Sequence, residues 1–533
     1  MKTIYYHAAV YTGQLPLQQA FIVEGDKFTF VGSDANALAR LEPGDTQVDL
    51  AGRFVCAGFN DSHMHLLGYG NALLSAPLAE HTGSLEEMLC CLREHLDRHP
   101  VAEDEWLLGR GWNQDYFTDA CRFPTRLDLD TVSDQVPICA VRACGHALVV
   151  NSKALRILGI TPHTPQPEGG RFFLDTGVFL DNAMDLVYAA IPAPDREGLK
   201  RRLRAACAAM NAYGITSCQS DDYCAFRTIP WKEVDAAYRE LEAAGELTLR
   251  VNQQANFTDL PSLQAYVQAG NITGTGTEYY RCGPLKMLGD GALGARTAYL
   301  SRPYADDPTT RGICVFTQEV FDEMIGYANE QGMQVAIHAI GDACLDMVLH
   351  SLEQALAQHP RRDHRHGIVH CQISRPDQLQ RLGNLGLHIY AQSIFLDYDI
   401  HIVRDRVGEE LSQSSYSWKT LQVLGASVSN GSDCPVEKPD VLAGIQCAVT
   451  RKTLRGEGPY LQAEGWTVQE ALDSFTSAGA YASFEESSKG KIRPGMLADF
   501  VVLGEDPFRV EENRIREIPV LATYLAGQKV YEK

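Results

Sequence analysis

The sequence predicts a parallel (β/α)8 barrel that carries a small composite β-sandwich domain and an insertion domain after strand 1. Three observations point there. Apolar β-type runs alternate with amphipathic helical stretches through the middle of the chain, as in a parallel α/β fold. Both ends read instead as short strands with period-two alternation. The interval between the first two barrel strands is far too long for one crossover. A chain of 533 residues has room for about two to four domains, enough for all three parts.

At the amino end, residues 3–11, 19–23, 28–31 and 47–50 form apolar runs broken by Gly, Asp and Asn. Residues 499–503 and 520–525 do the same at the other end, near the turn Arg493-Pro494-Gly495. Pairing the two ends predicts a β-sandwich from residues 1–57 and 485–533. The barrel takes residues 58–70 and 200–484. Its strands are read at 53–59, 214–219, 247–256, 285–288, 334–338, 366–370, 388–392 and 426–429. Helical patterns intervene at 199–213, 234–244, 318–331, 343–359 and 376–385. Residues 71–199 make the insertion, with strands at 106–110 and 137–142. Placed at the carboxyl end of a barrel strand, it is expected over the active face, where substrate is selected.

Composition narrows the function classes. Hydrophobic residues are 45% and charged residues 22%, ordinary globular values that exclude long disorder and coiled coil. Lys and Arg total 47 against 68 Asp and Glu, a net charge of −21. The one basic run, Lys200-Arg201-Arg202-Leu203-Arg204, reads as a solvated helix face, so no nucleic-acid partner is expected. Fifteen cysteines lie scattered without a C-x-x-C pair, which favours the reduced thiols of a cytoplasmic protein. No export signal or membrane span is read.

The strongest local signal is Asp61-Ser62-His63-Met64-His65. Strand residues two apart share a side, so His63 and His65 present both imidazoles to one point at the barrel mouth. The placement recurs: His338 and His370 end apolar strands, and Asp433 follows another. In a barrel the carboxyl ends of all strands converge, so these five side chains form a candidate set for a divalent metal. Lys286 sits in an apolar strand where a free ammonium is costly to bury. Two readings remain open for it: an ion pair with Asp290 on the same face, or a carbamate, N6-carboxylysine, bridging two metal ions.

These residues resemble the amidohydrolase superfamily, in its family 3 branch that includes N-substituted formamide deformylase. The resemblance spans nearly the whole chain. It rests on Gly58-Phe59-Asn60-Asp61-Ser62-His63-Met64-His65, on Lys286 through Asp290-Gly291-Ala292-Leu293-Gly294-Ala295-Arg296-Thr297, and on His338-Ala339-Ile340-Gly341-Asp342. Ile368-Val369-His370-Cys371-Gln372, Gly431-Ser432-Asp433-Cys434-Pro435-Val436 and the tail around Pro494-Gly495 complete it. Ala57 and Asn60 depart from the usual pattern, at positions not expected to bind metal.

The resemblance implies one or two divalent ions, zinc first, on His63, His65, Lys286, His338, His370 and Asp433. It implies hydrolysis of an amide-type C–N bond in a small molecule, of an N-acyl or N-formyl amine for example. Asp433 then moves the proton, with a metal or a neighbouring imidazole such as His338 at the oxyanion. His146, after Gly145, is expected on the substrate carbonyl, or else is a surface-turn histidine. Trp112, Gln114 and Asp115 are expected to line the pocket, or to be core and rim. Asp290 and Arg296 are placed near the substrate, Arg296 equally as a supporting residue. A homodimer is also implied. Two alternatives stay open: a mononuclear deaminase of the same superfamily, which the lack of a Glu just after His338 counts against, and a catalytically inactive structural homologue.

Overall fold

The computed structural model describes residues 1–101, 105–120, 122–143, 146–167, 169–226 and 228–533. The chain divides into two compact units, Met1–Leu66 with Cys207–Lys533, and Leu67–Ala206.

The first unit is built on eight parallel strands: Phe59–Met64 (β1), Ile215–Ser220 (β2), Arg250–Asn256 (β3), Tyr280–Leu288 (β4), Val335–Ala339 (β5), Gly367–His370 (β6), His388–Ala391 (β7) and Ser427–Asn430 (β8). Each pairs with the next in sequence, β1 through β8. The seam between β8 and β1 is drawn shut just beyond the ladders. There Asp433 N–H donates to the His63 carbonyl at 2.9 Å, and His65 N–H donates to the Cys434 carbonyl at 2.8 Å. The result is a (β/α)8 barrel whose strands are buried on both faces, as a parallel sheet covered by helices requires.

Local sequence explains the elements. The helix Asp342–Gln358 buries Cys344, Leu345, Val348, Leu349, Leu352 and Ala355, an i, i+3, i+4 stripe facing the sheet. It starts after Gly341, where a Cβ would fall 2.1 Å from the Tyr299 carbonyl oxygen. The first strand differs from the sequence expectation. The run 53–59 splits at Gly58: Phe54–Ala57 pairs with Phe500–Leu503, and β1 starts only at Phe59. A Cβ on Gly58 would lie 2.2 Å from Thr216 Oγ1, so the chain can pass from one sheet to the other there because that residue has none.

Two smaller sheets use both chain ends. One has four strands, Lys2–Tyr6, Ala20–Glu24, Lys27–Gly32 and Thr46–Asp49. The other has five, Ala9–Val10, Phe54–Ala57, Phe500–Leu503, Val520–Leu525 and Gln528–Glu532. A shared core packs between them around Tyr5, Phe21, Phe28, Phe500 and Tyr524, with Tyr5 stacked on Phe21 at 4.8 Å and Phe500 on Tyr524 at 4.3 Å. Arg250 of β3 makes a fully buried fork to Asp499, Nε to Oδ2 at 2.6 Å and Nη2 to Oδ1 at 3.0 Å.

The second unit holds a six-stranded mixed sheet, in the order Gly170–Phe173, Val178–Asp181, Ala147–Val150, Ile138–Arg142, Leu107–Trp112, Ala76–Pro77. Apolar clusters cover it, one around Trp112, Leu92 and Ile138 and one around Phe179, Leu148 and Val187. Among the described residues, no helix is long and apolar enough to cross a membrane.

Candidate metal centre

At the carboxyl ends of the barrel strands, donor atoms of His63, His65 and Asp433 all lie within 4.8 Å of one another. Asp433 Oδ1 is the common point, 3.3 Å from His63 Nε2 and 3.2 Å from His65 Nε2. The His370 ring joins them, its centroid 5.6 Å from that of His63 and 4.5 Å from that of His338. Strand order thus brings His63, His65, His338, His370 and Asp433 together, side chains more than 300 residues apart in the chain.

Three of the imidazoles are held the same way. His63 Nδ1 lies 2.7 Å from Gln254 Oε1, His370 Nδ1 lies 2.7 Å from Gln392 Oε1, and His65 Nδ1 lies 3.0 Å from the Asp221 carbonyl oxygen. Each partner is a carbonyl oxygen that only accepts, so each bond places a proton on Nδ1 and turns Nε2 inward, the ring atom that a metal ion would take. The two glutamines are themselves oriented: Gln254 Nε2 donates to the Ser62 carbonyl and Gln392 Nε2 to the Tyr390 carbonyl. Outer partners that fix tautomer and ring direction are the usual support of metal-binding histidines. His338 is turned the other way, with Nε2 at 3.2 Å from both the Gly291 carbonyl and Asp290 Oδ1, which leaves Nδ1 as its free ring atom.

The backbone also carries strain at this place. His370, Cys371 and Asp433 adopt φ of +74°, +49° and +58°, the left-handed region that side chains rarely enter. Trp418 Nε1–H donates to the His370 carbonyl at 3.1 Å, holding that turn.

Electrostatics matches a cation site. Burial opposes the charge of Asp433, but the His63 and His65 imidazoles set against its Oδ1, with His370 nearby, hold its carboxyl well below the usual range. Burial also opposes charge on His65, yet its bond to Asp433 draws its pKa well above 6.5. Burial dominates at His63, lowered to about 4, and at His370, lowered well below 6.5. Asp61, pushed up to about 7 by burial, braces the seam by accepting from Ser432 N–H at 3.0 Å and His63 N–H at 3.3 Å.

Lys286 is fully buried on β4 and its Nζ has no hydrogen-bond partner. Its nearest carboxylate is Asp221 Oδ2, at 3.6 Å, and this corrects the expected pair with Asp290. β4 ends at Leu288, so the same-face spacing of a strand no longer applies four residues on. Asp290 instead accepts from Tyr299, Ile340 and Gly341 N–H at 2.9, 3.0 and 2.8 Å. Asp433 Oδ1 is likewise buried without a conventional donor. A buried carboxylate oxygen and inward-turned imidazole Nε2 atoms beside an ammonium that makes no hydrogen bond fit a bound divalent cation.

The remaining expected residues fall elsewhere. Arg296 pairs with Asp306, Nη2 to Oδ2 at 2.8 Å, as a supporting residue of the loop after β4. Trp112, Gln114, Asp115 and His146 belong to the second unit. Trp112 is a core residue, fully buried with its indole N–H on the Ala140 carbonyl at 2.9 Å, so it does not line a pocket. Gln114 and Asp115 hold the Arg142 guanidinium. His146 is exposed, with Nδ1 at 3.1 Å from Asp181 Oδ1; Gly145 lies outside the described residues. Sequence reasoning missed Asp221, Gln254 and Gln392. Asp221 directly follows β2, the same position that singled out Asp433, and both glutamines are polar residues at the ends of buried strands.

Residues 46–531 match the amidohydrolase family. The chain is 33% identical over 546 residues to the Bacillus subtilis protein bearing the amidohydrolase name YtcJ, covering all of both chains. It is 27% identical over 535 residues to the N-substituted formamide deformylase of Arthrobacter pascens, covering 97% of this chain and 95% of that one. The structure superposes on an uncharacterized metal-dependent hydrolase from Pyrococcus furiosus with a TM-score of 0.79 and 28% identity, covering 96% of this chain and 100% of that one. The chain belongs to the amidohydrolase family and is a metal-dependent hydrolase of the amidohydrolase superfamily.

Proposed function

We propose that this protein hydrolyses an amide-type C–N bond in a small molecule of the N-acyl or N-formyl amine class. The observation that carries the reading is the shared geometry of His63, His65 and His370: all three rings donate Nδ1–H to a carbonyl oxygen, and Asp433 lies against the inward Nε2 of the first two. His63, His65, His370 and Asp433 would hold the divalent ion, with zinc suited to imidazole and carboxylate donors. Such an ion, when bound, brings the pKa of a water toward about 7 and polarises a carbonyl. His338 and Lys286 extend the donor set on β5 and β4. The buried Lys286 Nζ, which makes no hydrogen bond, supports carboxylation there: the neutral amine adds to carbon dioxide and releases a proton, giving a carboxylate donor on β4.

The chain's own residues supply the proton path. Asp433 is kept ionised by its imidazole neighbours, so one of its carboxylate oxygens takes the proton of the attacking water and passes it to the leaving nitrogen. His338 keeps its Nε2–H on the Gly291 carbonyl and Asp290, so its Nδ1 is a lone pair suited to a divalent ion, which would itself stabilise the negative charge that develops on the substrate oxygen. Resemblance to the formamide deformylase supports the N-acyl amine class, and the lack of a Glu immediately after His338 counts against a deaminase.

The test is a panel of N-formyl amines, N-acyl amines and amino-substituted heterocycles, assayed for released amine, acid or ammonia on protein whose metal content is measured in parallel. Cleavage of the amides is expected, with an Asp433→Asn variant losing about 10²–10⁴-fold in kcat while metal content stays near that of the parent. Ammonia release from the heterocycles with intact amides overturns the assignment, as does an active Asp433→Asn enzyme.

A further inference from the structure

Cys314 and Cys344 lie outside the donor set, yet they are arranged around one backbone position. Cys314 is in the loop between β4 and the next helix. Its backbone bridges that of Asp290, and Val315 N–H donates to the Gly289 carbonyl at 2.8 Å. Its Sγ is 3.1 Å from the Phe316 carbonyl oxygen, 3.7 Å from that of Gly289 and 3.6 Å from Met347 Sδ. Cys344 is buried in the first turn of the helix Asp342–Gln358, with Sγ 3.9 Å from the His338 carbonyl oxygen. A Cβ added to Gly289 would meet that same Sγ at 2.6 Å. Both sulfurs therefore flank a residue with no side chain to separate them, and Cys314 Sγ also meets Met347, one turn along the same helix from Cys344.

We propose that Cys314 and Cys344 are a reversible disulfide site, oxidised by a hydroperoxide, that ties the loop after β4 to the helix after β5. The two sulfurs have the unequal access such chemistry uses. Cys314 is half-buried between the exposed Ile313 and Val315, whereas Cys344 is fully buried. Packing alone does not call for a thiol at such a solvent-facing position. The neighbouring Cys344 thiol lowers the Cys314 thiol from 9 to about 7, which favours reaction with an oxidant at this sulfur. Burial acts oppositely on Cys139 and Cys371, pushed up to about 12. Cys314 is thus the thiol that meets the oxidant and Cys344 the one that resolves it.

The electrons balance in two steps. The Cys314 thiolate attacks the terminal peroxide oxygen, the O–O bond breaks, and Cys314 becomes a sulfenic acid as the other oxygen leaves as alkoxide or hydroxide and takes up a proton. Cys344 Sγ then attacks the sulfenic sulfur, the S–O bond breaks, and the thiol proton leaves with hydroxide as water. Two thiols are oxidised by two electrons and one peroxide is reduced. A protein kept in a reducing compartment regains both thiols by exchange with a small dithiol.

The site is tested on the full-length, metal-loaded protein with hydrogen peroxide, followed by alkylation, digestion without reductant and mass spectrometry. The expected result is a cross-linked Cys314–Cys344 peptide pair with the loss of two alkylatable thiols per chain, both reversed by dithiothreitol. Neither appears in Cys314→Ser, a substitution at a half-exposed position. In Cys344→Ala, oxidation stops at a Cys314 sulfenic acid that dimedone traps. Oxidation of other thiols while Cys314 stays alkylatable overturns the proposal. So does a Cys314 sulfinic acid formed with Cys344 still free. The readout is covalent, so it stands whether or not the amide-cleavage assay succeeds.

Discussion

The ammonium of Lys286 lies 3.6 Å from the Asp221 carboxylate, and both side chains are completely buried. Such a pair is costly to break from one side only, because the surviving buried carboxylate keeps just the neutral Asn256 amide and Cys224 thiol against its charge. Lys286→Met is expected to lower the stability of the metal-stripped protein by about 3–5 kcal/mol. Adding Asp221→Asn to that variant recovers most of the loss. Urea unfolding of the two single variants and the double variant measures this coupling.

The glutamines behind the histidines make a separate prediction. Gln392→Leu removes the acceptor that holds His370 Nδ1–H without touching an inward donor atom. Metal affinity is expected to fall about 10–100-fold, read by competition with a chromophoric chelator. Gln392→Glu restores an acceptor at the same place and is expected to retain affinity near that of the parent.

Acid stability is expected to depend on His388 of β7. Burial, with the nearby Arg365 charge, lowers its pKa from 6.5 to about 3, and the Ser427 and Ser429 hydroxyls hold the neutral ring at 2.7 and 2.8 Å. Between those two values the unfolded chain binds a proton that the folded chain refuses. Stability is therefore full above pH 6.5 and declines as pH falls toward 3, by up to about 1.4 kcal/mol per pH unit from this residue. His388→Asn is expected to flatten the slope of unfolding free energy against pH in that window by about this amount.

The fork between Arg250 and Asp499 joins barrel strand β3 to the segment that leads into Phe500–Leu503. Asp499→Ala leaves a fully buried guanidinium without its counter-ion and also removes the acceptor of Ala526 N–H. A loss of about 3–5 kcal/mol is expected, measured by denaturant titration.

Much of this molecule was legible in the sequence. Seven of the eight barrel strands carry apolar runs that declare themselves, and His63, His65, His338, His370 and Asp433 stand where those runs stop. What periodicity does not show is where backbone without a side chain redirects the path. Gly58 divides one apparent strand between two sheets. Gly289 follows the end of β4, after which Asp290 meets the amides beyond β5 rather than Lys286. The Lys286 partner, Asp221, was hidden for another reason: two strands that neighbour each other through β3 bring together residues that no local spacing connects. Trp112 was misleading because an aromatic beside polar residues has the same pattern in a pocket wall as in a core, and only burial of its N–H against Ala140 separates the two.

Phe54–Ala57 has as its sheet partner Phe500–Leu503, so during synthesis the earlier strand waits for one made more than 400 residues later. At about 5–20 residues per second, that is roughly 20–90 s in which one edge of it has no hydrogen-bonding neighbour. The domain whose strands are made first is thus among the last to be completed. Its apolar face, with Tyr5, Phe21 and Phe28 ready to receive Phe500 and Tyr524, is the stretch of the nascent chain most in need of protection by a chaperone.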